Sequence, residues 1–93
     1  MDKKQREETK KLYIDRMVKH LPTLRASIHV TQNQLAKKLG VTRTTMVAIE
    51  SGRRPLQWYM YLAIVAVFLQ YDDARKLLDS FELFDENLIK III

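Results

Sequence analysis

Over the first 21 residues, apolar side chains fall at Leu12, Tyr13, Met17 and Leu21 among charged neighbours, close to the spacing that lines one face of a helix. Acids come early and bases later, which suits the helix dipole, so a long amphipathic helix is expected from Lys4 to His20. The fixed φ of Pro22 disfavours helical geometry at Leu21, which predicts a break there and a short separate helix over Pro22 to Ser27. A new pattern opens at Thr31. With Gln34 three residues on, it makes a capping box; Leu35, Ala36 and Leu39 form the inward stripe, and Gly40 supplies the left-handed residue that ends a helix. Thr42 then caps another helix with Met46 and Ile49 facing inward, Val41 fills the bend, and Gly52 stops it.

Every position from Trp58 to Leu69 is apolar. Twelve residues make about 18 Å of helix, too short for a hydrocarbon core that needs about 20 residues, so this is no membrane span. A helix apolar all round must be covered on several sides, as the centre of a domain or part of a subunit interface. Asp72 or Asp73 is placed to cap a helix running through Leu77, Leu78 and Phe81. The β-branched run Leu88 to Ile93, after an Asp-Glu-Asn turn, predicts a strand. The fold class expected is all-α with a C-terminal extension ending in a short strand. The single domain spans 1–93, with a compact helix-turn-helix at 31–52, an N-terminal helical extension at 1–21 and a C-terminal extension at 71–93.

Composition narrows this further. At 93 residues there is room for one core, and 47% hydrophobic content is too high for a disordered chain. Two glycines and two prolines are too few for an all-β domain or a glycine-rich phosphate loop. The absence of cysteine excludes disulfides, thiolate metal sites and a cysteine nucleophile, and a cytoplasmic location is expected. The charged amino terminus is neither signal peptide nor anchor. The net charge of +5 is unevenly spread: residues 1–54 hold thirteen basic against five acidic side chains, residues 55–93 three against six. A polyanion would dock on the basic half.

His20 and His29 lack the spacing and acidic companions of a metal or catalytic site, and the hydroxyls of Thr42, Thr44, Thr45 and Ser51 have no positioned base. Trp58, Tyr59, Tyr61 and Phe68 are of the type that lines a small-molecule pocket, but an aromatic cluster at helical spacing reads as core. The expectation is therefore no enzyme, no metal and no cofactor. The outward residues of the 42–51 helix are Arg43, Thr44, Val47, Ala48 and Ser51, slim or basic, as a helix entering the major groove requires. Gln32, in the first turn after Thr31, sits where helix N–H groups accommodate a phosphate, with Lys37, Lys38, Arg53 and Arg54 adding charge nearby.

Gln32, Leu35, Ala36, Gly40, Val41, Ile49, Glu50 and Gly52 together resemble the motif of the Cro and phage-repressor family, also called the xenobiotic-response-element family, over about Leu24 to Phe68. The resemblance implies a lambda-repressor-like five-helix bundle and sequence-specific double-stranded DNA binding. It implies Arg43, Thr44 and Ala48 at base edges, with Val47 on the same surface. Gln32, Ser51, Arg53 and Arg54 would lie at phosphates, with Lys37 and Thr42 beside them, and Arg25 would pair with Glu50. The long N-terminal extension, the apolar Trp58 helix and the tail after Tyr71 depart from the family. The function expected is a transcriptional repressor acting as a homodimer on a palindromic operator. The alternatives are the antitoxin of a toxin-antitoxin pair, gripping a toxin with its N-terminal helix or tail, and a protein-binding adaptor on the same scaffold. The apolar terminus invites pairing or continuation, as in a piece of a longer regulator.

Overall fold

The computed structural model describes residues 1–92. Among them six helices follow in order: α1 (Lys3–Ser27), α2 (Gln32–Leu39), α3 (Arg43–Glu50), α4 (Trp58–Phe68), α5 (Asp72–Ser80) and α6 (Glu86–Ile92). The fold is all-α, a helical bundle around α4. That helix is apolar throughout and is clad by α1, α2 and α5. Met60, Tyr61, Ile64, Val65 and Phe68 are buried, and Trp58, Leu62, Val67 and Leu69 pack partly against the same core.

α1 overturns the expected break at Pro22: one helix of 25 residues runs through it. Tyr13, Met17, Leu21 and Leu24 are all buried on one side, whereas Pro22 is exposed. A proline inside a helix costs about 3 kcal/mol, and each large apolar side chain fully buried contributes about 1.5–3 kcal/mol. A break at Leu21 would separate Leu24 from the rest of this stripe, so packing outweighs the local preference. The N-terminal extension and the first core helix are thus one rigid element. Leu12 lies off the buried face, 60% exposed, and Ile14 and Val18 pack against the core instead.

The C-terminal end also differs from expectation. Leu88 to Ile92 is helical, not a strand; Ile93 lies outside the described residues. Asp85 starts the helix, its Oδ1 accepting from the Leu88 N–H at 2.9 Å. Leu88 and Ile91, three apart, are both buried. A strand would alternate its faces and could not send both inward. Tertiary burial and a cap therefore override β-branched propensity. Similarly, Tyr71, not Asp72 or Asp73, holds the N-cap position of α5, without a side-chain hydrogen bond, and both aspartates sit in the first turn.

Two tyrosines fasten this C-terminal segment to the bundle. The Tyr13 hydroxyl donates to Asp85 Oδ1 at 2.6 Å, and the Tyr61 hydroxyl donates to the Leu83 carbonyl at 2.6 Å. The rings meet edge to face at 6.1 Å. Arg16 adds an exposed bond to Glu82 at 3.0 Å, and His20 stacks on Phe81 with centroids 3.9 Å apart.

Tyr61→Phe is expected to cost about 1–3 kcal/mol in urea unfolding, because it strands the buried Leu83 carbonyl. Burial, then the neighbouring Asp85 carboxylate, pushes the Tyr13 phenol up to about 12, and burial raises Tyr61 as well. The folded state favours the neutral phenols. The Tyr13 contribution is therefore complete below the unfolded value of about 10 and lost as pH rises through about 12, and that of Tyr61 is lost from the same starting point. Urea midpoints should fall across that window, and Tyr13→Phe should remove part of the slope.

Candidate nucleic-acid interface

α2 and α3 are set by their punctuation. The Gln34 N–H donates to Thr31 Oγ1 at 3.1 Å while the Thr31 N–H donates to Gln34 Oε1 at 2.9 Å, a complete capping box. Gly40, at φ +76°, ends α2, and the Val41 N–H returns to the Ala36 carbonyl at 3.0 Å. Thr42 caps α3 by accepting from the Thr45 N–H at 3.1 Å. Its hydroxyl also donates to Thr45 Oγ1, so it serves the helix end first. Gly52, at φ +80°, turns the chain so that the Arg53 and Arg54 N–H groups both reach the Ala48 carbonyl, at 3.0 and 3.1 Å. In both places a side chain would strain the left-handed backbone.

Leu35, Ala36, Met46 and Ile49 are buried between the helices, which fixes the rotation of α3. Arg43 and Thr44 are then exposed, with Val47 and Ala48 half-buried beside them. Arg53 joins Arg43, Thr44 and Val47 around one shallow depression, its Nε donating to Ser51 Oγ at 3.0 Å. A second depression is lined by Thr31, Gln32, Asn33, Arg43 and Arg25. The two share Arg43, so the start of α2 and the outward face of α3 form one continuous surface.

Arg54 flanks the other side of α3, its Nη1 donating to Thr45 Oγ1 at 3.0 Å. Lys37 stands apart from α3, at a depression shared with Lys38, His29 and Tyr71. Lys38 extends over the Tyr71 ring at 5.8 Å. Sequence reasoning missed Asn33 and the Thr45 partner of Arg54. The capping box, which fixes the register of α2, was enough to put Asn33 beside Gln32 on the first turn. Nothing local in the sequence pairs residues 45 and 54.

Between Asp15 and Asp72 the sole acid is Glu50. Its carboxylate is gripped by Arg25, Nε to Oε2 at 2.8 Å and Nη2 to Oε1 at 2.9 Å. The side chains are only 6% and 17% exposed, Glu50 and Arg25 respectively. The Arg25 Nη1 also donates to the Val30 carbonyl at 3.3 Å. One guanidinium thus ties the end of α1, the turn into α2 and the end of α3. It also neutralises the one negative charge of the segment. Among the described residues no cluster of three or more His, Cys, Asp or Glu could hold a metal ion, and no helix is long and apolar enough to cross a membrane.

A bundle whose second and third helices are joined by a glycine turn, with the third presenting its outer face, defines a helix-turn-helix module. The family model of the helix-turn-helix domain matches residues 16–78, and the chain belongs to that family. Searches of curated proteins and of solved structures return no significant match. The matched stretch extends beyond the motif residues to take in the second half of α1 and most of α5. Residues 1–15 and the segment carrying α6 lie outside it.

Glu50→Ala or Arg25→Ala is expected to destabilise by about 3–5 kcal/mol in urea unfolding, since each strands a buried charge. The combined Arg25→Ala, Glu50→Ala replacement should cost much less than the two single changes summed, a coupling that a double-mutant cycle measures.

Proposed function

We propose that the chain is a cytoplasmic transcriptional repressor of the Cro and phage-repressor branch, binding an operator in double-stranded DNA through α3. The observation that carries this reading is the surface made by Gln32 and Asn33 on α2, Arg43, Thr44, Val47 and Ala48 on α3, and Ser51 and Arg53 after it. That surface holds cations, amides, hydroxyls and small apolar groups, and its nearest carboxylate is sequestered by Arg25. A duplex presents phosphates that such donors fix and base edges that a guanidinium and a methyl group can read.

On this reading Arg43 addresses guanine O6 and N7, while Thr44, Val47 and Ala48 meet thymine methyl groups. Gln32, Ser51, Arg53 and Arg54 hold phosphates, with Thr42 and Lys37 at the margins. Homodimerisation completes the proposal, since α6 leaves Ile89 and Ile92 41% and 51% exposed and α4 leaves Tyr59 70% exposed. Of the rest of α4, Met60, Tyr61, Ile64, Val65 and Phe68 are buried within the chain, while Ala66 is exposed. In a dimer on DNA the two α3 helices stand about 34 Å apart, one helical turn.

Selection from a random duplex pool, followed by titration, tests this. Arg43→Ala should cost about 1–3 kcal/mol on the selected site and little on random duplex. Arg54→Ala should weaken both and lower the salt slope by about one. Equal losses on both duplexes for Arg43→Ala, with base preference unchanged, contradict direct readout. Salt-insensitive or absent duplex binding would favour the protein-binding alternatives.

A further inference from the structure

An open groove of about 540 Å³ lies between the N-terminal half of α1 and the connection from α3 to α4. That volume falls within the range of small-molecule sites, about 300–1,000 Å³. Its apolar lining comes from Ile14 and Val18 on α1, Ile49 on α3, and Leu56 and Trp58 beyond it. Ile14, Val18 and Trp58 are only partly covered, so the groove keeps open apolar surface. Trp58 is held by stacking on Tyr61, with centroids 4.9 Å apart. Ile14 and the neighbouring rim residues Glu7, Lys10, Lys11 and Asp15 all precede the stretch that matches the helix-turn-helix domain.

The rim charges are unequal in availability. Lys10 is engaged by Glu7 at 3.4 Å and lies 5.5 Å from the Trp58 ring. Lys11 and Arg54 form no ion pair among the described residues, while Asp15 is the one acid of the rim left unpaired. Two available cations face one acid. Arg54 uses Nη1 on Thr45 and, with five N–H donors on a guanidinium, retains donors for a carboxylate or sulfonate.

We infer that this groove binds an amphipathic small molecule with an apolar body and a single anionic group, the body on Ile14, Val18 and Trp58 and the anion between Lys11 and Arg54. Arg54 also flanks α3. On the DNA reading given above, on which this one consequence rests, the bound anion competes with a phosphate and lowers duplex affinity, and duplex lowers ligand affinity by the same factor.

The test uses the full chain, with Trp58, its sole tryptophan, as reporter. The dye 8-anilinonaphthalene-1-sulfonate should quench Trp58 emission saturably at one per chain. Decanoate, below its micellar concentration, should displace it, and decylamine should do so at least about fivefold less well. Lys11→Gln and Arg54→Gln are exposed changes that leave the core intact, and each should weaken the dye about two- to fivefold. Unsaturable quenching, equal displacement by the amine, or unchanged affinity in the double variant overturns the site. Loss of dye binding as protein concentration rises assigns the groove to a second copy and overturns it as well. With a selected duplex added, saturating decanoate should reduce DNA affinity; unchanged affinity overturns the competition. Decanoate binding without any duplex binding would count against the DNA reading alone.

Discussion

Arg25 and Glu50 meet through two parallel hydrogen bonds of 2.8 and 2.9 Å, almost out of solvent, at the one point where α1, the α1–α2 turn and α3 converge. Hydrophobic contact through Met46 and Ile49 sets how deep α3 sits. The ion pair adds direction, since a guanidinium accepts only a narrow geometry at a carboxylate. Its electrostatic effect reaches further than its structural one. An unpaired Glu50 at the end of α3 would place a negative charge close in sequence to the Arg53 and Arg54 cations. Paired, it leaves the outer surface of α2 and α3 without an opposing charge.

The second half of the molecule serves the first by anchoring the N-terminal half of α1. Tyr13 and Tyr61 project from α1 and α4, touch edge to face, and hand their hydroxyls to Asp85 and Leu83. Because α1 is one helix from Lys3 to Ser27, the end clasped by these bonds and the end carrying Arg25 belong to the same rod. The C-terminal segment thereby supports the position of Arg25 without approaching α3. The same continuous helix places Ile14 and Lys11 alongside the α3–α4 connection and forms the groove there.

What the sequence made legible depended on whether the signal was local. Thr31, Gln34, Gly40, Thr42 and Gly52 act within a few residues of themselves, and the helix boundaries they imply are those observed. The outward face of α3 followed from the same register. Pro22 and the isoleucine tail misled because their local preferences were real but smaller than the burial of Leu24, Leu88 and Ile91, which only the assembled core reveals. Asp85 could be seen as a turn residue, but not as the acceptor of a tyrosine 72 positions away. The Arg54–Thr45 bond and the α1 wall of the groove beside Trp58 were likewise invisible, being products of chain segments meeting in space. Arg25 and Glu50 were placed together by resemblance to a family, not by any spacing rule.

On the proposed reading, the start of α2, the outer face of α3 and residues 51–54 make one nucleic-acid surface while the rest of the bundle supports it. Backbone amide resonances followed during titration with a selected duplex measure this directly, at low salt and again at higher salt. Shifts should concentrate at Gln32, Asn33, Arg43, Thr44, Val47, Ala48 and Ser51 to Arg54, with Glu50 and α5 little changed, and should shrink as salt rises. Shifts centred on α4, α6 or the exposed Ile89 and Ile92, with α3 silent, would rule out α3 as the nucleic-acid surface.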